Sequence, residues 1–226
     1  MVDIKKEIHN ELTAIYNEFY DLNETKTIVR RGFTVSDYLK ENSILFLGMN
    51  PAYNAKEDKD RFDNICYGDA HNIADKVTYF KAFNSLIGKE WNHLDILFFR
   101  ETNQNEVKNF MQTKVGATFL YKQICLSKKL IELSKPKVII ASNALVRTFL
   151  GFHKNIDTNE GVWMGFNFKF DNEIGTYRIK SQGNLFDTPI FFTSMLSGQR
   201  ALDLGSFERL KWHIKFVLEK ITKLKN

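Results

Sequence analysis

The sequence predicts an α/β fold in three layers, with helices on both faces of a central four-stranded parallel sheet and an antiparallel hairpin beside it. Short continuous apolar runs alternate along the chain with segments of helical periodicity, the pattern of a parallel sheet buried on both faces. The 226 residues, 43% of them hydrophobic, are enough for one sizeable core. We therefore expect a single domain over 1–226, with an N-terminal helix over 3–22 as an extension.

Four apolar runs are predicted to form the parallel sheet, and each is bounded by polar or turn-forming residues. Runs of this length with such boundaries are typical of fully buried strands. The predicted strands cover residues 44–49, 94–99, 138–141 and 189–192.

Helical spacing of apolar residues separates these strands. The predicted helices cover residues 3–22, 73–88, 116–134, 144–150 and 206–224. From 162 to 179, apolar residues alternate with polar ones around a turn at 171–175, which predicts the antiparallel hairpin. The polar segment 52–72 is predicted to be a long loop, and long loops in compact domains are usually functional.

Polar residues follow each predicted parallel strand. In open α/β sheets the ligand lies beyond the carboxyl ends of the strands, near a topological switch point. We therefore expect the functional site where four segments meet, rich in amides and hydroxyls and poor in carboxylates. These segments are 48–53, 100–103, 142–143 and 193–200.

Composition limits the partners and cofactors. The net charge of +5 and the pI near 9.0 suit a polyanion such as nucleic acid. Cys66 and Cys125 are the only cysteines and stand far apart, so neither a zinc site nor an iron–sulfur cluster is encoded. The five histidines share no metal-ligand spacing. We expect no metal and no cofactor.

The same composition bears on location. No apolar run approaches the roughly 20 residues that a membrane helix needs, and the N-terminal segment is amphipathic with mixed charge, unlike a signal peptide. We expect a reduced, cytoplasmic protein that does not associate with membranes.

Three segments resemble motifs of the uracil-DNA glycosylase superfamily. Residues 48–52, Gly-Met-Asn-Pro-Ala, are similar to its first motif, written Gly-[Ile/Met]-Asn-Pro-Gly in the mismatch-specific and single-strand-selective branches. Residues 134–141 resemble its third strand. Residues 196–200, Leu-Ser-Gly-Gln-Arg, with the following 205–207, are similar to its second motif. The resemblance extends from about 43 to 218 in the expected order and implies a uracil-DNA glycosylase-like fold.

The second motif departs from the family pattern. The family's histidine falls on Phe192, and its two prolines fall on Thr193 and Met195. The family's histidine is an electrophile that stabilises the departing base. Its loss here either lowers the rate severely or means that another group stabilises the base. The residues that match the motif are Ser194, Leu196, Ser197 and Arg200.

The resemblance implies a DNA glycosylase of base-excision repair. Such an enzyme flips uracil or another deaminated or mismatched base out of damaged or single-stranded DNA and hydrolyses its N-glycosidic bond by water attack. Asn50 is then the catalytic residue, whose side-chain oxygen positions the water because an amide is not a general base. Gly48, Met49 and Pro51 form the substrate-binding turn around it. The alternative is an ordinary polar turn at a strand end.

Other substrate-binding residues follow from the same resemblance. Tyr67 lies where the family places an aromatic that stacks on the flipped base, with Tyr53 and Phe62 as rivals; plain core packing is the alternative. Asn103, or Arg100, would meet the Watson–Crick edge of the base, and the alternative for Asn103 is a helix cap.

The second motif would bind DNA. Ser194 and Ser197 would hold phosphates, Leu196 would fill the gap left by the extruded base, and Arg200 would pair with a phosphate. The alternative is a loop before the last helix, with Ser206 as its N-cap.

Two other functions remain open. The first is a non-catalytic, nucleic-acid-binding member of the same fold, for which Phe192 is the best support. The second is a small-molecule α/β hydrolase or nucleotide-binding enzyme. Against it, the sequence has no Gly-x-Gly-x-x-Gly after a strand, no P-loop and no Gly-x-Ser-x-Gly elbow. We expect the protein to act as a monomer.

Overall fold

The computed structural model describes residues 1–54, 65–153, 162–199 and 201–223. Ten strands and seven helices are labelled here in chain order. The strands are β1 (Val2–Asp3), β2 (Phe33–Ser36), β3 (Tyr38–Leu39), β4 (Ile44–Gly48), β5 (Ile65–Gly68), β6 (Trp91–Asp95), β7 (Val138–Ser142), β8 (Phe168–Asp171), β9 (Thr176–Ile179) and β10 (Pro189–Thr193). The helices are α1 (Ile4–Phe19), α2 (Lys26–Val29), α3 (Thr78–Ile87), α4 (Gln104–Phe110), α5 (Lys114–Ser134), α6 (Ala144–Leu150) and α7 (Leu204–Lys223).

A six-stranded, mostly parallel sheet lies at the centre, in the order β6-β4-β7-β10-β9-β8. The first four strands are parallel, and β9 and β8 continue the sheet in antiparallel pairing. The predicted hairpin therefore belongs to the central sheet, which has six strands where four were expected. Pairing with β9 satisfies the backbone groups on what would otherwise be the open edge of β10. Two small sheets, β1-β3 and β2-β5, are separate.

Helices cover both faces of the sheet, as the alternation of strands and helices predicted. On one face, side chains of β4 and β7 such as Leu45 and Ile139 pack with residues of α1 and α5. On the other face, Phe46 stacks on Phe83 of α3, with ring centroids 3.9 Å apart, and joins a cluster with Ile214 of α7. Successive residues of a strand point to opposite faces, so each parallel strand contributes to both cores.

The second parallel strand is Trp91–Asp95, and the prediction of 94–99 is wrong. Its polar start is buried because internal partners satisfy it: Trp91 Nε1 donates to Asn84 Oδ1 at 2.9 Å, and Asn92 Nδ2 donates to the Lys40 carbonyl at 2.7 Å. The apolar residues 96–99 are fully buried but lie beyond the strand, after two further backbone hydrogen bonds, from the Ile96 amide to the Gly48 carbonyl and from the Leu97 amide to the Met49 carbonyl. The carboxyl end of this strand is therefore Asp95.

Other predicted elements agree with the structure to within a few residues. The periodic segments predicted as helices correspond to α1, α3, α5, α6 and α7. The segment predicted as a long loop contains β5 and a short 3-10 helix, Ala70–Ile73, in its described part. The short elements β1, β2, β3 and α2 were not predicted, since two to four residues carry little periodicity. The seven-residue helix α4 was not predicted either. No helix in the described parts of the chain combines the length and apolarity needed to cross a membrane.

Candidate active site

A topological switch point lies between β4 and β7. From β4 the chain passes through α3 to β6 on one side, and from β6 it passes through α4 and α5 to β7 on the other side of β4. Helices α3 and α5 pack on opposite faces of the sheet. In α/β sheets of this kind, ligands bind at the carboxyl ends of the strands beside such a switch point.

Hydrogen bonds connect the four segments that were predicted to meet here. The Glu101 amide donates to the Pro51 carbonyl at 3.0 Å, Ser142 Oγ donates to the Leu47 carbonyl at 3.2 Å, and the Asn143 amide donates to the Thr193 carbonyl at 3.1 Å. The ends of β4, β7 and β10 and the segment after β6 thus share one edge of the sheet.

Asn50 lies two residues beyond β4 and is half-buried. Its Nδ2 donates to the Glu101 carbonyl at 2.6 Å and to the Pro51 carbonyl at 3.0 Å. Both hydrogen bonds with described residues use the amide nitrogen, so the orientation of the amide is set and Oδ1 remains the group that can accept from a bound water. Met49, next to it, is buried in the core.

A cationic and aromatic cluster borders Asn50. Arg31 Nη1 pairs with Glu101 Oε2 at 2.6 Å, with side chains only 15% and 10% exposed. The Arg31 guanidinium lies 4.2 Å from the centroid of the Tyr53 ring, and that of Arg100 lies 5.6 Å from it. Thr102 Oγ1 bonds both the amide and the carbonyl of Tyr53. The sequence contains no signal for Arg31, which comes from the end of α2.

The side chain of Tyr67 contacts His9 and Phe33. Its hydroxyl lies 3.1 Å from His9 Nδ1 of α1, and its ring makes an edge contact with Phe33. Burial, and to a lesser degree the Asp3 carboxylate, raise the pKa of Tyr67 to about 12. The contacts of Tyr67 with described residues are thus to α1 and β2. Its rival Phe62 lies outside the described residues.

Asn103 caps a helix. Its side chain accepts from the Asn105 amide at 3.1 Å at the start of α4, and its own amide donates to Glu101 Oε1 at 2.6 Å. This is the capping role that the sequence left open. Arg100 is buried, with 6% of its surface exposed.

The second-motif segment packs partly into the core. Leu196 is only 5% exposed and lies in the cluster between the sheet and α7, whereas Ser194 is exposed and Ser197 half-buried. In this arrangement Leu196 presents no protruding apolar wedge. Gly198 has φ +85°, which suits glycine. Arg200 lies outside the described residues.

The last helix is capped by a different residue from the one predicted, and Phe192 packs among aromatic rings. Asp203, immediately before α7, accepts from the amide of Ser206 at 2.9 Å and from its Oγ at 2.6 Å, so Asp203 and not Ser206 acts as the capping residue. These bonds lower the pKa of the Asp203 carboxyl. The Phe192 ring lies 5.2–5.5 Å from three other aromatic rings, those of Phe152, Phe168 and Tyr177.

Two carboxylates stand at this edge of the sheet, and one of them, Glu101, belongs to the four segments predicted to form the site. Glu101 pairs with Arg31. Asp95 ends β6 beside Gly48, Tyr79 and His93. Sequence analysis missed Asp95 because it placed the strand end four residues later.

Elsewhere, an open groove of about 1570 Å³ lies at the opposite, amino end of the parallel strands. Its lining includes Trp212 of α7, which is 66% exposed. This groove is remote from the predicted site residues. Within the described residues, no group of three or more His, Cys, Asp or Glu side chains is arranged to hold a metal ion.

No protein-family model and no curated protein sequence matches this chain.

Proposed function

We propose that this protein is a DNA N-glycosylase with a uracil-DNA glycosylase-like fold, which flips out uracil or another deaminated or mismatched base and hydrolyses its N-glycosidic bond. The observation that carries the proposal is the placement of Asn50. It follows the parallel strand β4 at the switch point, and its amide nitrogen is bonded to the Glu101 and Pro51 carbonyls. That placement fits the motif that Gly-Met-Asn-Pro resembles.

Asn50 has a definite chemical role in this proposal. Because Nδ2 is held by two carbonyls, Oδ1 is free to accept a hydrogen bond from a water molecule. Holding that water near the anomeric carbon lowers the entropic cost of the attack. The amide orients the nucleophile but does not take its proton.

Tyr53 is the better candidate for stacking on the flipped base. It is partly exposed, belongs to the segment of Asn50, and has the guanidinium groups of Arg31 and Arg100 within 6 Å of its ring. Base–aromatic stacking contributes about 1–3 kcal/mol per base, and nearby positive charge favours a phosphate backbone. Tyr67, in contrast, is bonded to His9.

Damaged or single-stranded DNA is the proposed partner of a monomeric, cytoplasmic enzyme that acts without a cofactor. The net charge of +5 suits a polyanion. Both cysteines are free thiols, as is usual in a reducing compartment. Ser194 and Ser197 remain the proposed phosphate contacts of the loop after β10, together with Arg200.

A non-catalytic DNA-binding protein of the same fold is the second candidate. Phe192 favours it, because the family's histidine position is occupied here by a ring packed among aromatic residues. The burial of Leu196 points the same way.

Base release from oligonucleotides tests the proposal. Single- and double-stranded substrates would carry uracil, hypoxanthine, xanthine or a G·T mismatch, and alkali-labile cleavage would be measured at high enzyme concentration. We expect Asn50→Ala to lower the rate of release by at least about 10²-fold while salt-sensitive DNA binding persists. Asn172→Ala, in the exposed turn between β8 and β9, is the matched control and should keep the wild-type rate.

The outcomes separate the two candidates. Release that is lost in Asn50→Ala and kept in Asn172→Ala supports a glycosylase. DNA binding by the wild type without release of any base supports the non-catalytic protein. Absence of both binding and release contradicts both candidates.

A further inference from the structure

Three polar atoms converge on one point above the backbone of Gly48. A Cβ atom placed on this residue would lie 2.0 Å from Asp95 Oδ1, 3.0 Å from the Tyr79 hydroxyl and 3.1 Å from His93 Nε2. Gly48 and Asp95 are direct register partners at the ends of β4 and β6, and Tyr79 comes from the first turn of α3. The absent side chain of Gly48 is what makes room for this cluster.

One nitrogen of the His93 imidazole, Nε2, is buried without a hydrogen-bond partner among the described residues. Its side chain is 7% exposed and packs against the rings of Tyr79, Phe80 and Phe83. Nε2 lies 3.5 Å from Asp95 Oδ1, close enough for an ion pair if the ring is protonated, but it makes no hydrogen bond with any described residue. A buried polar atom without a partner is costly, so packing alone does not account for this arrangement.

Tyr79 contributes a hydroxyl that stays protonated. Its oxygen lies 3.5 Å from Ser142 Oγ of β7, and Ser142 Oγ in turn donates to the Leu47 carbonyl. Burial, followed by the negative charge of Asp95, raises the pKa of Tyr79 far above its ordinary value. The cluster therefore connects the carboxyl ends of β6, β4 and β7.

We propose that Asp95 is a catalytic residue of this site and accepts the proton of the attacking water. The inference rests on the proposed function and deepens it, because Asn50 orients a water but has no basicity. Asp95 lies opposite Gly48, and Asn50 follows Gly48 by two residues, about 6–7 Å along an extended chain. A water bonded to Asn50 Oδ1 is thus placed beside a carboxylate that is 16% exposed.

The step balances as a hydrolysis. The water oxygen forms a new bond to the anomeric carbon as the bond from that carbon to the base nitrogen breaks, and the electron pair of the broken bond leaves with the base. One proton of the water passes to the Asp95 carboxylate. That proton is then transferred through solvent to the departed base, which restores the carboxylate.

The test is the rate of base release as a function of pH for Asp95→Asn. Among the described residues, the titratable groups that face this carboxylate are His93 on its own strand and Tyr79 on α3, with the Ser142 hydroxyl behind Tyr79. Single-turnover release from the substrate that the wild type cleaves best would be measured from acid to neutral pH, together with the affinity for an abasic or uncleaved oligonucleotide.

We expect Asp95→Asn to lower the rate about 10²–10⁴-fold, the usual contribution of a general base, with affinity within a few-fold of the wild type. The fall in rate at acid pH, where a carboxylate base is protonated, should disappear. Asp75→Asn, an exposed carboxylate just before α3, is the matched control and should behave as the wild type. Thermal unfolding checks each variant, and Asp95→Ser replaces Asp95→Asn if the latter does not fold.

A wild-type enzyme that releases a base, with an Asp95→Asn variant of unchanged rate and pH profile, would overturn the assignment of Asp95 alone. A wild type that releases no base from any substrate overturns the proposed function and this inference together.

Discussion

The carboxylate of Asp95 occupies the space that a side chain on Gly48 would need. Asp95 Oδ1 lies 2.0 Å from the position of a Cβ on Gly48, and the two residues are partners in the ladder between β4 and β6. The glycine of the Gly-Met-Asn-Pro segment is therefore required by a neighbouring strand of the same protein. Sequence analysis assigned it to the substrate-binding turn.

The contact between Gly48 and Asp95 predicts that substitutions at these two residues have coupled effects on the free energy of unfolding. We expect Gly48→Ala to lower the free energy of unfolding by about 1–3 kcal/mol, the range for inserting a methyl group into a packed site. Combining it with Asp95→Ala, which removes the clashing oxygen, should recover part of that loss, with an interaction energy of about 0.5–3 kcal/mol. Urea unfolding of the wild type, both single variants and the double variant measures the cycle. Strictly additive effects would contradict the contact.

The ion pair of Arg31 with Glu101 is predicted to hold the segments of Asn50 and Tyr53 together. Both side chains are largely buried, and removing one partner of a buried pair costs about 3–5 kcal/mol because the other charge is left uncompensated. Arg31→Ala should therefore shift the urea midpoint strongly. Its neighbour Arg30 pairs with Asp21, which is 84% exposed, so Arg30→Ala should cost only about 0–1 kcal/mol. Equal effects of the two variants would show that the pair is not important for stability.

A substitution at Leu196 distinguishes a role of this side chain in core packing from a role in DNA contact. It is 5% exposed, so we expect Leu196→Ala to destabilise the protein by about 2–5 kcal/mol through the cavity it leaves. Leu204→Ala, at a residue that is 79% exposed, should change stability by no more than about 0.5 kcal/mol. Thermal unfolding without DNA is the measurement. If Leu196→Ala were as stable as the wild type and weakened only DNA binding, Leu196 would act as a wedge.

The raised pKa of Tyr67 predicts that the protein loses stability at high pH. Its pKa is raised from 10.0 to about 12 in the folded protein, so the unfolded chain loses this proton first. The folded state then binds more protons than the unfolded state, and the free energy of unfolding falls as the pH rises from about 10 to 12. The stabilisation from the Tyr67 hydroxyl is fully present below the pKa that Tyr67 has in the unfolded chain. It is lost as the pH rises past the pKa that Tyr67 has in the folded protein.

The measurement is a pH titration of tyrosinate absorbance, with unfolding followed over the same range. Tyr67→Phe should remove a titration with a midpoint near 12 and flatten the loss of stability. Tyr38→Phe, at a residue that is 55% exposed, should leave that titration in place. A titration that persisted in Tyr67→Phe would belong to another group and would contradict the raised pKa of Tyr67.

Local sequence determined the parallel strands β4, β7 and β10 and the helices α1, α3, α5, α6 and α7 to within a few residues. Their signals are local: apolar runs bounded by turn residues for the strands, and a 3.6-residue period for the helices. The position of Asn50 and Pro51 at a strand end follows from the same signals, because the apolar run of β4 stops directly before them. That is why the candidate site could be placed at one edge of a sheet from the sequence alone.

Tertiary structure alone decided which side chains meet there. Trp91 and Asn92 could be buried at the start of β6 only because Asn84 and the Lys40 backbone bond them, and this shifted the strand end to Asp95. Arg31 reaches Tyr53 from the end of α2, and Tyr67 turns to His9 on α1. Arg31 and Tyr53 are 22 residues apart, and Tyr67 and His9 are 58 residues apart. Contacts over such separations depend on how the packed elements are arranged in space, which no periodicity in the chain encodes.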